Sequence, residues 1–272
     1  MEAPFQNLIP ESVARLIKKI FLKARGLYYI GNTYRCPICE HSFRSMLPVG
    51  FDLEVIKEKN IIGAGIRNNA LCPYCQSTDR DRLIFLFLKN KTSILKQKVK
   101  ILHIGPEPSL YSVLKKQKNI FYITGTKYSE GIYYHKDISS IDLLQIPFTD
   151  GEFDMVICNH VLEHIIDDGK AMSEIFRVLN SHGIAVVQVP LSNTIGETYE
   201  DFTITSPKLR EKHFGQFDHV RIYYSEDYKN RLENAGFKVK TYNPFDDDAN
   251  HDNLIPLSIN RNENLYIGYK MK

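Results

Sequence analysis

The sequence lacks the features that mark a membrane-spanning or exported protein. No apolar run approaches the roughly 20 residues that a transmembrane helix needs. The first residues, MEAPFQNLIPES, have neither the basic start nor the apolar stretch of a secretory signal. There is also no internal repeat and no low-complexity tract. We therefore expect a cytoplasmic protein without a transmembrane segment.

A strong charge of one sign is missing as well. The net charge is +3 over 272 residues, which is too mild to identify a nucleic-acid-binding protein, although it does not exclude one. With 43% hydrophobic residues, the chain is long enough for one large domain and a small one. We place an N-terminal helix in residues 1–33, a cysteine module with a connecting helix in residues 34–90, and the main domain in residues 91–272.

The segment from Glu11 to Leu27 has apolar residues at helical spacing with several lysines and arginines among them. This pattern predicts an amphipathic helix. The simpler interpretation is that its apolar stripe packs on the next domain, because amphipathicity is what any surface helix shows. The alternative is peripheral contact of the basic helix with a membrane or another anionic partner.

Disulfides are not expected, although the chain has five cysteines. Four of them form two Cys-x-x-Cys pairs, and two such turns can complete a tetrahedral zinc site. A redox role would need a helix N-terminus after the strand that delivers the first cysteine, and neither pair has an obvious one. We therefore predict a structural zinc ion bound by Cys36, Cys39, Cys72 and Cys75, and we expect Cys158 to be a small core residue.

From about residue 99 the pattern alternates between short apolar runs and helical stretches. Strands are predicted in VKILHIG, NIFYITG, FDMVICN and GIAVVQVP, with helices at 110–118, 168–179 and 226–234. Strands separated by helices of this length indicate a parallel sheet with helices on both faces, an α/β fold. Two late strands, FKVKTYN and ENLYIGYK, predict a hairpin that closes the sheet.

Residues 146–190 read IPFTDGEFDMVICNHVLEHIIDDGKAMSEIFRVLNSHGIAVVQVP, and this stretch resembles the middle of class I methyltransferases of the type 11 group. They contain the family's Pro-Phe-x-Asp and Phe-Asp approach to the fourth strand, Leu-Glu-His after it, Arg-Val-Leu at the end of the next helix, and a glycine turn into the fifth strand. The matching residues are Pro147, Phe148, Asp150, Phe153, Asp154, Leu162, Glu163, His164, Arg177, Val178, Leu179 and Gly183. The resemblance implies a Rossmann-like sheet of seven strands, the last pair a hairpin, and the cofactor S-adenosylmethionine (SAM).

The N-terminal part extends the resemblance. The cysteine pairs, followed by Arg80, Arg82 and Leu83 and then by LHIGPE, resemble a subgroup of bacterial zinc-containing methyltransferases. That resemblance implies a small zinc-ribbon-like module ahead of the main domain. It also favours a glycan-type acceptor, because the subgroup often accompanies glycan and surface-polysaccharide genes.

Cofactor residues are expected beyond the carboxyl ends of the strands, where ligands bind in open α/β sheets. The resemblance implies that Asp137 and Ile138 contact the adenine. It also implies that Asn159 and His160 leave the fourth strand towards the methyl donor. The acidic residue that usually binds the ribose is not evident, and Glu130 is the nearest candidate.

The first loop departs from the family pattern. The family has an acidic residue and three glycines there, whereas this chain has His-Ile-Gly-Pro-Glu-Pro with one glycine. We expect His103, Gly105 and Glu107 to form a working variant of this loop. The alternative is that cofactor binding is weakened or lost.

A methyl transfer needs an aligned acceptor and often a base, for which histidine is best suited near neutral pH. His160 and His219 are the candidate bases, while helix packing or capping is the simpler role for His164. Residues 191–224 suggest a lid or substrate loop, in which Glu200 or Asp201 could orient the base or an acceptor hydroxyl.

The predicted function is a SAM-dependent methyltransferase that methylates oxygen on a small molecule or glycan. One alternative is an RNA methyltransferase whose zinc module and basic segments bind RNA. A second alternative is a binding protein that kept the fold but does not catalyse.

Overall fold

The computed structural model describes residues 11–127, 138–247 and 251–271. Within these ranges the helices are α1 (Glu11–Tyr28), α2 (Glu54–Glu58), α3 (Asp79–Asn90), α4 (Pro108–Leu114), α5 (Asp168–Val178), α6 (Pro207–Phe214), α7 (Ser225–Asn234) and α8 (Pro244–Asp247). The strands are β1 (Ile30–Arg35), β2 (Ser42–Phe43), β3 (Leu47–Val49), β4 (Ile61–Ile62), β5 (Arg67–Leu71), β6 (Val99–Ile104), β7 (Ile120–Gly125), β8 (Phe153–Cys158), β9 (Leu179–Val186), β10 (Leu191–Ser192), β11 (Tyr199–Glu200), β12 (Arg221–Tyr224), β13 (Lys238–Tyr242) and β14 (Leu265–Tyr269).

The main sheet has the strand order β13-β14-β9-β8-β6-β7. The strands β9, β8, β6 and β7 are parallel to one another, and β7 forms one edge of the sheet. At the opposite edge, β13 and β14 form an antiparallel hairpin, and β14 pairs with β9. The predicted α/β fold with a closing hairpin is therefore confirmed. Within the described ranges this sheet has six strands, whereas the resemblance implied seven. Next to β7, at the place expected for the seventh strand, the described residues form a single parallel bridge between Ser139 and Gly125.

The core lies on both faces of the sheet, because neighbouring residues of a strand point to opposite sides. On one face, Leu102 and Val156 pack with α5 and α7, and on the other face Ile101 and Met155 pack with α3 and α4. Each fully buried leucine or isoleucine contributes about 1.5–3 kcal/mol relative to an exposed one. The connecting helix α3 is thus part of the main core. Cys158 is fully buried, as predicted for a core residue.

A second, smaller sheet joins the cysteine module to the segment 191–224. Its order is β11-β12-β10-β4, so that β10 pairs with β4 of the module and with β12. Val55, Ile56 and Ile61 of the module pack here against Phe214 and Ile222. The segment expected to act as a lid is therefore anchored to the module by backbone pairing and by a small apolar core.

The prediction that α1 packs its apolar stripe on the next domain is wrong. Leu16, Ile17, Ile20 and Phe21 are 53–59% exposed, and the helix contacts the rest of the chain near its C-terminal end. There, Arg25 Nε donates a hydrogen bond of 2.7 Å to the carbonyl of Pro73. None of the helices within the described ranges combines the length and apolar character needed to cross a membrane.

Candidate active site and metal centre

The two cysteine pairs converge on one point. Cys36 Sγ lies 3.6 Å from Cys75 Sγ, and Cys39 Sγ lies 3.7 Å from Cys72 Sγ. All four sulfurs lie within 4.8 Å of one another. A tetrahedral site with Zn–S bonds of about 2.3 Å has sulfur–sulfur separations of about 3.8 Å. The spacing of the four thiols therefore fits a tetrahedral Cys₄ ion.

Both cysteine pairs form the same turn. After the first pair, the Glu40 amide donates to the Cys36 carbonyl at 2.8 Å, and after the second, the Gln76 amide donates to the Cys72 carbonyl at 3.1 Å. Glu40 and Gln76 both have φ of +62°, the left-handed conformation that reverses the chain. The sequence signal for this turn was the Cys-x-x-Cys spacing of each pair.

Ser77 adds a contact that the sequence analysis missed. Its Oγ lies 3.2 Å from Cys36 Sγ and 3.2 Å from Cys75 Sγ. A hydroxyl at this position can donate to a metal-bound thiolate and orient it. His41, which could have replaced a cysteine ligand, instead stacks on Tyr74 with 4.3 Å between ring centroids.

The module is fixed to the main domain by Arg82, whose side chain is fully buried. Its guanidinium donates to four carbonyls, those of Ser77, Ala70, Leu257 and Ser258, at 2.6–3.0 Å. Arg80, two residues earlier, pairs with Glu263 at 2.8 Å. The Arg-x-Arg element of the sequence therefore joins the cysteine module to the C-terminal segment.

A cleft of about 870 Å³ lies between the main domain, the cysteine module and the segment 191–224. Small-molecule sites typically occupy about 300–1,000 Å³. The cleft is lined by the turns after β6, β7 and β8, which include Gly105 and Glu107, Thr126 and Lys127, and Asn159 and His160. These turns lie at the carboxyl ends of parallel strands, where ligands bind in this class of sheet.

The first loop is held by side chains in place of the usual glycines. Glu107 accepts hydrogen bonds from His103 Nε2 at 2.8 Å and from Asn159 Nδ2 at 3.0 Å, while His103 Nδ1 contacts the Tyr122 hydroxyl at 2.7 Å. Burial opposes ionisation of Glu107, but the charge and hydrogen bond of His103 outweigh it and lower the pKa of the carboxyl. His103 itself is fully buried and supports the loop from behind. Gly105 has φ of +59°, a conformation that favours glycine.

A second carboxylate enters the cleft from the cysteine module. Asp81 lies in the first turn of α3 and accepts a hydrogen bond of 2.8 Å from Ser109 Oγ, at the start of α4. Burial and the charge of Glu107 raise the pKa of Asp81 to about 6. Asp81 and Glu107 together give this end of the cleft an anionic character that favours a cationic ligand group.

His160 has an unusual backbone conformation for a residue with a side chain, with φ of +54°. Its amide donates to the Gln188 carbonyl at 2.7 Å, which holds this turn to the segment just after β9. Its Nδ1 lies 3.5 Å from Glu163 Oε1, and its Nε2 is buried without a hydrogen-bond partner in the described structure. The side chain is 26% exposed and borders the cleft.

Glu163 lies at the centre of a histidine cluster. Burial opposes its ionisation, but the hydrogen bond from His160 and the charges of His164, His160 and His219 lower the pKa of Glu163 to about 2. His219 Nε2 lies 3.9 Å from Glu163 Oε1, and burial lowers the pKa of His219 to about 4. His164 Nδ1 contacts Asp218 Oδ2 at 3.2 Å, and this contact raises the pKa of His164 against the effect of burial. The sequence analysis assigned His164 to packing and missed Asp218.

The other predicted site residues lie apart from this cluster. Asp201 accepts hydrogen bonds from Thr203 and is absent from the cleft lining. Glu200 pairs with Arg221 at 2.7 Å and with Arg231 at 2.8 Å. Ile138 is half-buried but does not line the cleft, and Asp137 and Glu130 lie outside the described residues.

Comparison with known proteins agrees with this geometry. Residues 111–187 match the family described as "Methyltransferase domain". An uncharacterized protein of Methanocaldococcus jannaschii is 37% identical over 86 residues, which is 31% of this chain and 37% of that protein. A protein of Mycolicibacterium smegmatis described as a probable S-adenosylmethionine-dependent methyltransferase is 31% identical over 108 residues, which is 40% of this chain and 37% of that protein.

The chain thus spans a little over a third of the length of each of these relatives. Among solved structures, a SAM-dependent methyltransferase of Archaeoglobus fulgidus is similar with a TM-score of 0.46 and 15% identity, over 72% of this chain and 96% of that one. The family match and the Mycolicibacterium relative support a class I methyltransferase.

Proposed function

We propose that the chain is a SAM-dependent methyltransferase that methylates a hydroxyl group of a small molecule or glycan. The observation that carries this proposal is the single cleft in which the turns after β6, β7 and β8 meet. When bound there, SAM supplies an electrophilic methyl group on a positively charged sulfur. Glu107 and Asp81 would bind its cationic end, with Gly105 giving the backbone close approach to the cofactor.

His160 is the base that we favour. It follows β8, its side chain is 26% exposed and borders the cleft, and Glu163 Oε1 lies 3.5 Å from its Nδ1. Its Nε2 is buried without a hydrogen-bond partner in the described structure, so a movement of the ring towards the cleft would bring this nitrogen to the acceptor hydroxyl as the proton acceptor. His219 is a weaker candidate because its lowered pKa makes it a poor proton acceptor at neutral pH. With SAM bound, its methyl carbon would accept the bond from the acceptor oxygen, the sulfur would keep the electron pair of the broken carbon–sulfur bond, and His160 would hold the proton that the hydroxyl loses.

The Cys₄ ion is proposed to be Zn²⁺ with a structural role. Four cysteine ligands leave no open coordination position, so this ion cannot bind an acceptor. Its effect on the site is indirect. It holds the loops that precede α3, and α3 carries Asp81 into the cleft.

The RNA alternative has less support from the site. Five arginines and lysines of the described residues line the cleft, and four of them pair with a carboxylate: Arg67 with Asp79, Arg80 with Glu263, Lys127 with Asp142 and Arg221 with Glu200. Cations neutralised in this way contribute little to phosphate binding.

Calorimetric titration with SAM and with its demethylated product tests the proposal. We expect saturable binding of both, and turnover of labelled SAM into glycosides with free hydroxyl groups. Absence of cofactor binding at millimolar concentration would refute the enzyme assignment and favour the non-catalytic binding protein. Strong, salt-dependent binding of RNA would favour the RNA alternative.

A further inference from the structure

Glu163, His164 and His219 form a second group of potential metal ligands, distinct from the cysteines. One donor atom of each lies within 4.8 Å of the others, and all three side chains border the cleft. Two imidazoles and one carboxylate are a ligand set that binds divalent transition metals and leaves positions open for a substrate. On an octahedral ion with bonds of about 2.1 Å, the donor atoms lie about 3–4 Å apart. The three side chains would therefore need to move only slightly towards one another to bind such an ion.

Glu163 has one carboxylate oxygen that is free to bind a metal ion in this cluster. The residue is 1% exposed, and its Oε2 has no hydrogen-bond partner in the described structure. A buried carboxylate oxygen without a partner costs about 1–3 kcal/mol or more, and such atoms are rare unless an ion or water meets them. His160 Nε2 is also buried without a hydrogen-bond partner in the described structure, and His160 lines the same cleft.

The outer contacts of both histidines are those of metal ligands. His164 Nδ1 faces Asp218, through Oδ2 at 3.2 Å and the carbonyl at 3.3 Å, and Gln216 Nε2 fixes that carboxylate at 2.8 Å. His219 forms a hydrogen bond with the backbone of Phe214. Ligating histidines typically use one ring nitrogen for such a contact and offer the other to the metal.

The local backbone supports the same group. The amide of Val220, next to His219, donates to the Glu163 carbonyl at 3.0 Å. Glu163 and His164 lie in a short 3₁₀ helix, Leu162–His164, which we call the ligand helix. The fully buried Arg221 donates to the carbonyl of Leu162, at the start of this helix, and to that of Ile166, just after it. Strand β12 and the ligand helix are thereby held side by side, and their spacing does not depend on solvent-exposed contacts.

We propose that Glu163, His164 and His219 bind a divalent transition-metal ion of the Zn²⁺, Co²⁺, Mn²⁺ or Fe²⁺ type, with open positions facing the cleft. The role of this ion rests on the proposed function. It binds the acceptor hydroxyl and lowers its pKa, and His160 takes the proton as the oxygen attacks the methyl group. The nitrogen ligands disfavour Mg²⁺ and Ca²⁺, which prefer oxygen donors.

Titration with Co²⁺ of protein prepared with one zinc ion per chain, so that zinc fills the Cys₄ site alone, tests the site without using activity. Calorimetry gives the stoichiometry, and zinc content measured before and after by atomic emission reports whether the Cys₄ ion has been displaced. We expect one Co²⁺ per chain in addition to the retained zinc. In Glu163→Gln and His219→Gln, the affinity should fall by at least about 100-fold, and in Asp218→Asn by about 10–100-fold as for an outer contact.

Matched controls are Glu197→Gln and His251→Gln, which change the same residue types at exposed positions. Both should bind Co²⁺ like the wild type. Thermal unfolding and zinc content verify that each variant is folded. Lack of Co²⁺ binding by the wild type, or unchanged binding by folded Glu163→Gln, would overturn the proposal. Binding of SAM is measured on the same samples, so that failure of the metal site is distinguished from failure of the methyltransferase assignment.

Discussion

Replacement of Arg82 by methionine tests how the cysteine module is attached to the main domain. Methionine keeps much of the apolar stem of arginine but removes the guanidinium. Four carbonyls, two in the module and two in the segment 257–258, then lose their donor in a fully buried position. The substitution does not touch the four cysteines or any side chain that lines the cleft.

The magnitude follows from these contacts. Hydrogen bonds to a charged group contribute about 1.5–3 kcal/mol each, but transfer of a guanidinium from water offsets much of the sum. Removal of one partner from a buried charged network typically costs about 3–5 kcal/mol, and we expect a loss in that range. For a chain of this size, about 2 °C per kcal/mol gives a decrease in Tm of about 6–10 °C.

Differential scanning calorimetry and urea unfolding measure this loss. Arg35→Met is the matched control, because Arg35 is exposed, and its change should stay within about 0.5 kcal/mol. Zinc content should stay at about one ion per chain at low temperature in both variants. A loss below about 1 kcal/mol for Arg82→Met would refute the view that this residue fixes the module to the main domain.

Other changes test the remaining sites. Cys72→Ser should abolish zinc binding as measured by atomic emission, whereas Cys158→Ser should retain it, and full zinc content in Cys72→Ser would contradict the Cys₄ assignment. His160→Ala should lower turnover of labelled SAM by about 10²–10⁴-fold while calorimetry shows cofactor binding intact, and full activity of His160→Ala would show that the base assignment is wrong. Since the pKa of His219 is lowered to about 4, the unfolded chain takes up its proton first on acidification, and the free energy of unfolding should fall by about 2 kcal/mol between pH 7 and pH 5. In His219→Gln, the free energy of unfolding measured with urea should no longer fall in this way between pH 7 and pH 5. An unchanged pH dependence in this variant would show that His219 does not cause the fall. The exposed stripe of α1, with Lys18, Lys19 and Lys23 around it, should bind vesicles that contain anionic lipid but not neutral ones, and cosedimentation unchanged by Ile17→Asp would rule out contact through the stripe.

The sequence predicted those features that depend on local pattern. The alternation of apolar runs and helical stretches predicted the parallel sheet and its closing hairpin, because periodicity of 2 or 3.6 residues is set by backbone geometry. The Cys-x-x-Cys pairs predicted a convergent tetrahedral cluster, because each pair is a short turn whose chemistry is local. The helices α5 and α7 also begin and end within one residue of the predicted positions, whereas α4 ends at Leu114, four residues before the predicted end.

Tertiary structure decided what depends on contacts between distant residues. The Arg-x-Arg element was visible in the sequence, but two of the four carbonyl partners of Arg82, those of Leu257 and Ser258, lie about 175 residues away and follow no pattern. The same holds for β4 of the module, which pairs with β10, and for the exposure of α1, which periodicity could not distinguish from packing. The grouping of Glu163 with His219 depends on how β12 meets the turn after β8. The sequence by itself thus determined the sheet and the cysteine cluster, whereas the cleft and its histidines required the packed fold, because burial and long-range pairing are set only when the elements meet.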